Sequence, residues 1–552
     1  MNKLGTVKLW LIYLFFILIV LVIFGRMFYL QIARHDYFKK QSVSQQKRKI
    51  TIHPNRGDVL DRNGIQLASS SKAYSIYLDP RYKQEDRELI LEEMETKLGI
   101  SKEAAGKLFS KEYYVLIKPK VSKEVAKSLK AKAFDLLPDT KRVYPANTLA
   151  AQLLGYVGWD NKGKDGLELK YDSILAGKSG YMILESDLQG RPIFSDKKKV
   201  FPVKDGDAVE TTIDKYIQFI MDHHLKKGVS RLGANSAVGI IMDVHTGEIY
   251  AMSSYPTYDP NNYSRYYIQN PKLFWNRALF MNYEPGSVMK LFSMAAALEE
   301  GVVKRGQQIY SPSRIIVDRT VIEEAHDIEE GESPTVDLSD IVVKSLNVGA
   351  AKVGLMLGSE KLYGYLKKLG FGERTGVDLA GESSGLLRHF SSWYKVDLSR
   401  ISFGYGLNAT PIQLVRAVSV LANGGELVTP YIVKGKQKQR RERVFSKETS
   451  AYMMEMMQRT VEEGTAQATK IDNYTVGGKT GTAIIFSPAY NKYLSGQYNS
   501  TFVGVFPVSK PKFAMVIMVN DPQRMKYASY SAVPIFKEVA ERVIRYLGID
   551  PS

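Results

Sequence analysis

A serine and a lysine three residues apart, Ser287 and Lys290, stand at the start of an apolar segment in "MNYEPGSVMKLFSMAAALEEG" (281–301). Apolar residues recur every three to four positions after the serine, which predicts a buried helix that begins near Ser287. Residues three apart share one helix face, so the lysine amine can reach the serine hydroxyl and take its proton. The preceding Pro285-Gly286 break places the serine at the helix N-terminus, where free N–H groups and the helix dipole stabilise a developing oxyanion.

This pair alone is a weak indication of catalysis, because S-x-x-K is a short pattern. An equally simple interpretation is that Ser287 only caps the helix and that Lys290 extends its amine towards the surface. Lysine acts as a base only if its pKa falls, which burial and a second nearby cation both cause. Two further polar groups favour chemistry, one at the start of a predicted helix and one on a predicted strand. They are Ser345-Leu346-Asn347 in "KSLNVGAAKVG" and Lys479-Thr480-Gly481-Thr482 in "VGGKTGTAII".

The elements that must position these groups form one large mixed domain from about residue 206 onward. The segment "SAVGIIMDVHTGEIYAMSS" predicts two strands joined by a tight turn. Helices are predicted at 287–300, 339–357 and 411–422. Strands return near "NYTVGGKTGTAII", "STFVGVFP" and "FAMVIMVND", and a last helix follows in "AVPIFKEVAERVIRYLG". This order predicts an α+β fold, in which an antiparallel sheet carries a helical insertion and is flanked by helices.

The N-terminal part of the chain has a different character. Residues 9–25, "LWLIYLFFILIVLVIFG", carry no charge, and with the apolar residues up to position 30 they reach the length that crosses a bilayer. No small-x-small cleavage pattern follows, so we interpret the segment as an uncleaved signal anchor. The flanking charges do not decide its orientation.

Residues 31–205 combine strand-like alternation with charged helical runs. The strand-like stretches are "AYSIYLDP" and "YYVLIKP", and the helical runs are "EDRELILEEMETKLG" and "SKEVAKSLKAKAF". We find no carboxylate pair, nucleophile or phosphate-binding loop there in a convincing context. We therefore interpret this part as a spacer and an interaction surface.

Composition excludes several classes of function. The 552 residues contain no cysteine, which rules out disulfides, thiol catalysis and Cys-ligated metals. The seven histidines show no HExxH or comparable spacing, so we expect no catalytic metal, and no other cofactor is indicated. The formal net charge of +18 is spread along the chain, and only "KGKQKQRRER" (434–443) is a dense basic run. We interpret that run as a solvated loop or hairpin and expect no nucleic-acid binding; the remaining charge suits anionic cell-surface polymers or lipid.

Taken in order on helix, loop and strand, S-x-x-K, S-x-N and K-T-G resemble the motif set of the penicillin-recognising serine acyltransferases. Longer stretches are similar to class B penicillin-binding proteins, the membrane-anchored D,D-transpeptidases of bacterial cell-wall synthesis. "RGDVLDRNGIQLA" (56–68) resembles their N-terminal signature, and "RVYPANTLAAQLLGYVG" with "GLELKYD" resembles their pedestal domain. Similar stretches of the second domain are "YDPNNY", "NRALFMNYEPGS", "LGFGERTGVDLAGESSG" and "SFGYGLNATPIQL". The resemblance covers almost the whole chain, and 31–205 does not resemble the glycosyltransferase domain that a class A protein would need.

The resemblance implies how the first two motifs act. Ser287 would attack the carbonyl of the penultimate D-alanine of a stem peptide, with Lys290 as its base. The terminal D-alanine would leave, and an acyl-enzyme would remain. Ser345 would relay a proton to the leaving amine, while Asn347 would hold Lys290 and a peptide amide. An amine of a neighbouring stem peptide would then attack the acyl-enzyme and close a crosslink.

The third motif is implied to bind the substrate. Lys479 would place positive charge near the substrate carboxylate and would lower the pKa of Lys290. Thr480 and Thr482 would donate hydrogen bonds to that carboxylate. Gly481 would leave room for the substrate against the strand. The backbone N–H groups of Thr482 and of the nucleophilic serine would form the oxyanion hole.

The resemblance also implies organisation and partners. We expect a cytoplasmic tail and transmembrane signal anchor in 1–30, an elongated, non-catalytic mixed α/β pedestal for dimerisation or partner binding in 31–205, and an outward-facing penicillin-binding transpeptidase domain in 206–552. The expected ligands are D-Ala-D-Ala stem peptides and β-lactams. The expected partners are a SEDS-type glycosyltransferase and proteins of the divisome or elongasome, and homodimerisation stays open. "YSIYLDP" and the pedestal motifs favour the division or spore-type branch over the elongation type.

Other interpretations remain beside this one. A carboxypeptidase or β-lactamase would use the same acyl-enzyme with water as acceptor, and a non-enzymatic scaffold or β-lactam sensor would keep the fold without turnover. "GESSG" (381–385) fits the G-x-S-x-G pattern of α/β-hydrolases, but the acid and then histidine that those enzymes need do not follow it. "NYTVGGKT" is close to a phosphate-binding loop, but Asn473 stands where the first glycine must be, so we reject that function.

Overall fold

The computed structural model describes residues 3–79, 82, 87–111, 113–187, 192–193, 199–324, 335–435 and 441–551. The chain divides into two compact units, each built from three stretches of sequence. The first unit comprises Met1–Arg56, Ser70–Lys141 and Gly177–Gly206, and the second comprises Gly57–Ser69, Arg142–Ala176 and Asp207–Ser552.

Helices and strands alternate along both units. The α-helices are α1 (Lys3–Phe28), α2 (His35–Gln46), α3 (Arg87–Thr96), α4 (Lys102–Phe109), α5 (Lys123–Ser128), α6 (Ala151–Leu154), α7 (Gly166–Lys170), α8 (Asp172–Leu175), α9 (Lys215–Leu232), α10 (Tyr263–Gln269), α11 (Arg277–Phe280), α12 (Lys290–Glu299), α13 (Leu338–Val343), α14 (Asn347–Leu357), α15 (Ser359–Lys368), α16 (Lys395–Ile401), α17 (Pro411–Ala422), α18 (Lys447–Glu462) and α19 (Ala532–Leu547). The strands are β1 (Lys47–Ile52), β2 (Val59–Leu60), β3 (Gln66–Leu78), β4 (Val115–Ser122), β5 (Phe134–Val143), β6 (Gly180–Ser186), β7 (Pro192–Ile193), β8 (Lys199–Phe201), β9 (Val209–Glu210), β10 (Ser236–Asp243), β11 (Ile249–Tyr255), β12 (Ile309–Tyr310), β13 (Arg314–Val317), β14 (Thr320–Glu323), β15 (Thr335–Val336), β16 (Glu426–Leu427), β17 (Glu442–Arg443), β18 (Gly477–Ser487), β19 (Lys492–Phe506) and β20 (Phe513–Asn520).

The first unit begins with the apolar helix that the sequence predicts. Thr6–Ala33 is a continuous 28-residue helical segment, none of whose most apolar stretch is buried. Its apolar side chains are exposed because none of the residues that the structure describes covers them, which fits a segment whose solvent is lipid. By length and composition this helix is able to span a membrane.

The remainder of the first unit is a small α/β assembly. Strand β1 pairs antiparallel with β6, and β3 pairs antiparallel with β4. Helices α3, α4 and α5 contribute to one apolar core with these last two strands, in which Ile76, Ile90 and Met94 are fully buried. The two charged helical runs are observed as α3 and α5, although Glu85 and Asp86 of the first run lie outside the described residues. Of the basic run at 434–443, residues 436–440 also lie outside them.

The second unit is built on a five-stranded antiparallel sheet in the order β11-β10-β20-β19-β18. Strand β10 is buried along its whole length, because helices cover both faces of the sheet. This explains why "SAVGIIMD" is almost continuously apolar instead of alternating with polar residues. Strand β18, which carries the K-T-G motif, lies at one edge of the sheet.

Two sets of helices enclose this sheet. Helices α9 and α19 share one core with the first face, in which Ile217, Phe502 and Phe536 are fully buried. Helices α12, α14 and α17 belong to the larger core on the other face, with Leu291 and Val415 fully buried. The predicted α+β fold with an antiparallel sheet and flanking helices is confirmed.

The helix predicted at 339–357 is wrong as a continuous element. The structure has two helices, α13 and α14, separated by Lys344–Leu346. The interruption occurs at Ser345, whose φ of 65° lies in the left-handed region that a right-handed helix does not contain. The helix predicted at 287–300 begins with a 3₁₀ turn, Gly286–Met289, and continues as α12. The helix predicted at 411–422 is observed with those bounds.

The second unit includes two stretches that we expected in the pedestal, 57–69 and 142–176. Arg142 donates a hydrogen bond to Glu168 at 2.6 Å in a buried ion pair. The hydroxyl of Tyr171 donates to Asp378 at 2.7 Å. The two units are therefore not separated by a single boundary near residue 205, because residues of these stretches contact residues far along the chain in the second unit.

Candidate active site

Close backbone contact positions the turn that carries Ser287. Gly286 has a φ of 57°, and its N–H donates to the carbonyl oxygen of Gly404 at 3.2 Å. Gly404 has a φ of 93°, and a Cβ there would lie 2.0 Å from the carbonyl oxygen of Gly286. Glycine is therefore required at this approach. Ser287 follows at the partly exposed start of the helix.

The amine of Lys290 lies at the S-x-N turn. The side chain is fully buried, and its Nζ donates to the carbonyl oxygen of Ser345 at 2.5 Å and to Oδ1 of Asn347 at 2.8 Å. Ser345 Oγ lies 3.4 Å from the same nitrogen. Within the described part of the chain, no hydrogen bond joins Lys290 to the hydroxyl of Ser287. The structure thus brings the first two motifs together through the lysine.

This arrangement suits a neutral amine. A neutral lysine has two N–H hydrogens and one lone pair, and the two shorter hydrogen bonds use both hydrogens. The lone pair stays available for a proton from a neighbouring hydroxyl. Burial lowers the pKa of Lys290 to about 7, whereas the carboxylate of Glu324 acts to raise it. The amine can therefore be neutral near physiological pH.

Lys479 is the second buried cation of the site. Its side chain is fully buried, and its Nζ donates to the carbonyl oxygen of Thr480 at 3.3 Å. Burial lowers the pKa of Lys479 well below the usual range, and repulsion from Lys290 lowers it further. The resemblance implied that Lys479 lowers the pKa of Lys290. In the structure, the pKa of Lys290 is lowered by burial.

Both threonines of the K-T-G-T segment have neighbours that orient their hydroxyls. Thr480 and Thr482 are two residues apart on β18, so their side chains point to the same face of the strand. The Thr480 hydroxyl is hydrogen-bonded to the Thr465 hydroxyl at 2.8 Å, and Thr482 Oγ1 accepts from the N–H of Ala528 at 3.2 Å.

Gly481 lies against the turn that carries the serine. A Cβ at this position would lie 2.5 Å from the carbonyl oxygen of Pro285 and 2.9 Å from Cγ2 of Val288. These residues belong to the turn around the serine, not to open space in front of the strand. Gly481 makes room for the nucleophile turn against β18, whereas we expected it to make room for substrate.

One charged residue at the site, Glu324, was not predicted from the sequence. Its carboxylate accepts hydrogen bonds from the backbone N–H groups of Asn347 and Val348, the latter at 2.8 Å. Asn347 also donates from Nδ2 to the carbonyl oxygen of Glu323 at 3.2 Å. Glu324 lies 23 residues before Asn347, outside any short motif, so no local sequence pattern identified it.

Comparison with known proteins gives the family. The model of the penicillin binding protein transpeptidase domain matches residues 237–541, and that of the penicillin-binding protein dimerisation domain matches residues 51–211. The stage V sporulation protein D of Bacillus subtilis is 31% identical over 99% of this chain and 86% of its own length. The chain belongs to the class B penicillin-binding proteins. The predicted resemblance is confirmed.

Other relatives of this penicillin-binding protein agree with that assignment. The probable peptidoglycan D,D-transpeptidase PenA of Neisseria meningitidis is 30% identical over 96% of this chain and 90% of its own length. A crystal structure of penicillin-binding protein 3 from Mycobacterium tuberculosis, complexed with aztreonam, has 26% sequence identity and a TM-score of 0.70. The superposed region covers 91% of this chain and 98% of the chain in that crystal structure.

Proposed function

We propose that this protein is a serine-type peptidoglycan D,D-transpeptidase with Ser287 as nucleophile and Lys290 as base. The observation that carries the assignment of roles is the buried Lys290, held by the S-x-N turn with a pKa lowered to about 7. A lysine with an ordinary pKa would be protonated at neutral pH and could not accept a proton. This lysine is three residues from a partly exposed serine at a helix start.

In the first half-reaction, the Ser287 oxygen attacks the carbonyl carbon of the penultimate D-alanine. Its proton passes to the amine of Lys290, and the negative charge develops on the carbonyl oxygen. The bond to the nitrogen of the terminal D-alanine then breaks. That nitrogen takes a proton by way of Ser345, whose hydroxyl lies 3.4 Å from the lysine nitrogen, and D-alanine leaves. The product is an ester between the serine and the shortened stem peptide.

In the second half-reaction, an amine of a neighbouring stem peptide attacks the ester carbonyl. The bond to the serine oxygen breaks, a new amide forms, and a proton from the amine returns to Ser287. A β-lactam enters the same first step, and its ring-opened acyl group remains on the serine.

Strand β18 is the proposed docking element for the donor peptide. An extended peptide can add to an edge strand through main-chain hydrogen bonds. Thr480 and Thr482 would hold the terminal carboxylate, and the arrival of that carboxylate would favour the protonated form of the buried Lys479. We assign the oxyanion hole to the backbone N–H groups of Ser287 and Thr482. Asn347 would hold a peptide amide in addition to the lysine.

Product analysis tests this function against its alternatives. The full chain in detergent is incubated with a pentapeptide donor that ends in D-Ala-D-Ala and with an amine acceptor. We expect crosslinked product and free D-alanine, both lost in Ser287→Ala and both retained in Ser383→Ala, which alters the serine of the rejected G-x-S-x-G pattern. Release of D-alanine without crosslinking would indicate a hydrolase, and a folded protein that releases none would indicate a scaffold or sensor.

For the cellular setting, we propose a single-pass protein anchored by its N-terminal helix, with the catalytic unit outside the cytoplasm. The apolar Thr6–Ala33 segment supports an anchor, and the extracytoplasmic location of cell-wall peptides requires this orientation. Added protease should cleave the catalytic unit in intact spheroplasts, and protection of that unit would contradict the proposed topology.

We further propose that residues 31–205 form a pedestal that binds a SEDS-type glycosyltransferase together with the anchor, in a division or spore-type assembly. The match of 51–211 to a dimerisation-domain model supports a role in association and leaves homodimerisation as a second candidate. Co-purification of the full chain with a co-expressed SEDS-type protein tests the partner. Retention of the partner by a chain that lacks 70–141, a stretch of the pedestal that belongs to the first unit, would contradict the role of the pedestal.

A further inference from the structure

The helix that follows the S-x-N turn begins without a cap from its own sequence. Helix α14 starts at Asn347, and the residue at its N-cap position, Leu346, has no side-chain atom that can accept a hydrogen bond. The N–H groups of Asn347 and Val348 instead donate to the two carboxylate oxygens of Glu324. Glu324, which lies 23 positions before Asn347, therefore caps this helix in place of the N-cap residue.

The groups held in this way are those that contact the proposed base. Asn347 accepts from Lys290 through Oδ1, and Ser345, two residues earlier, accepts from it through its carbonyl oxygen. Ser345 has a φ of 65°, a conformation that costs free energy for a residue with a Cβ. The strained turn needs support from its surroundings. Bonds to two consecutive N–H groups directly after the turn supply such support.

A carboxylate fits this position for two reasons. It offers two acceptor oxygens to two adjacent N–H donors, and the start of a helix attracts negative charge. A glutamine of the same length keeps only one acceptor oxygen and turns an NH₂ group towards the second donor. An aspartate keeps the charge and both oxygens but is shorter by one methylene.

Charge links the same residue to the base itself. Among the described residues, the charged group that acts on the pKa of Lys290 is Glu324, which follows β14 and favours the protonated amine. Lys479 of β18 also faces this lysine, and repulsion from Lys290 lowers the pKa of Lys479. The S-x-N turn contributes only neutral groups. Removal of the Glu324 charge would therefore lower the pKa of Lys290, and the amine would stay neutral down to a lower pH.

We propose that Glu324 is a positioning residue for acylation: its carboxylate clamps the S-x-N turn against Lys290 and balances the charge of the site. This inference rests on the proposed function, because it assumes that Ser287 and Lys290 perform the acylation. Glu324 does not touch the reacting atoms in this account. It acts through Asn347, Ser345 and the lysine.

The test measures the second-order rate of labelling by a fluorescent penicillin between pH 5.5 and 9, with the full chain in detergent. We expect Glu324→Gln to lower the maximal rate at least about tenfold and to move the midpoint of the acid limb at least about 0.5 unit lower. Glu324→Asp should lower the maximal rate and keep the midpoint. Glu360→Gln, an exposed acid in the first turn of α15, is the matched control and should behave as wild type.

A lower rate with an unmoved midpoint in Glu324→Gln would overturn the proposal, since a purely structural role predicts that result. Wild-type rate and midpoint would overturn it as well. Melting temperatures confirm that each variant folds. If Glu324→Gln does not fold, the decision passes to Glu324→Ala, which also removes the charge: a midpoint moved to lower pH would support the proposal, and an unmoved midpoint would overturn it. Failure of the proposed function is distinct, because then wild type and Glu360→Gln would also fail to be labelled on Ser287.

Discussion

The rate of acylation should rise with pH in a way set by the buried lysine. Lys290 accepts the serine proton only as a neutral amine, and its pKa is lowered to about 7. The neutral fraction is then about one tenth at pH 6 and about nine tenths at pH 8, which is roughly a tenfold increase followed by a plateau. An ordinary lysine with a pKa near 10.4 would give about a hundredfold increase over the same interval and no plateau below pH 9.

Stopped-flow measurement with a fluorescent penicillin, at concentrations below saturation, gives the second-order rate constant at each pH. Ser287→Ala corrects for non-covalent signal, and melting temperatures identify the pH range in which the protein stays folded. A rate that is flat from pH 6 to 8, or one that still climbs tenfold per pH unit at pH 9, would refute the assignment of Lys290 as a base with a pKa lowered by burial.

Three further predictions concern other parts of the second unit. Gly404→Ala should reduce penicillin labelling at least about tenfold, because its Cβ would overlap the carbonyl oxygen of Gly286 at 2.0 Å; a wild-type labelling rate would contradict the close approach. Arg142→Met should destabilise the fold by about 3–5 kcal/mol in urea unfolding, because it leaves the carboxylate of Glu168 buried without its ion-pair partner, and a loss below about 1 kcal/mol would contradict this. Burial raises the pKa of Asp222 to about 6, so the folded state holds a proton on this carboxyl that the unfolded state has lost, and the free energy of unfolding falls as pH rises from 4 through 6. Urea unfolding at pH 5 and 7 should show a smaller loss of stability in Asp222→Asn than in wild type, and an equal loss in both would contradict this prediction.

Local patterns in the sequence sufficed for the parts of the fold that they directly encode. The apolar run of β10 and the apolar periodicity of 411–422 depend on burial alone, so both elements could be predicted. The three motifs and their order could also be recognised from the sequence, because each motif lies within a stretch of three or four consecutive residues. The family resemblance followed from these motifs and from the longer matches around them.

Features created by contacts between distant residues could not be predicted. The left-handed backbone conformation of Ser345 interrupts a helix that the apolar neighbours favour. No glycine or proline stands there to indicate the interruption in the sequence. Gly404 and Glu324 meet the motif turns only after folding, across separations that no short pattern records. The contact between Gly481 and the nucleophile turn could not be predicted for the same reason, since the sequence does not reveal that this turn packs against the strand.

The most direct test of the central claim is the mass of the intact protein after incubation with benzylpenicillin, followed by peptide mapping. We expect one penicilloyl group per chain, located on Ser287, stable for many minutes, absent from Ser287→Ala and present in Ser383→Ala. An adduct that persists in Ser287→Ala, or no adduct on folded wild-type protein, would contradict the assignment of Ser287 as the nucleophile.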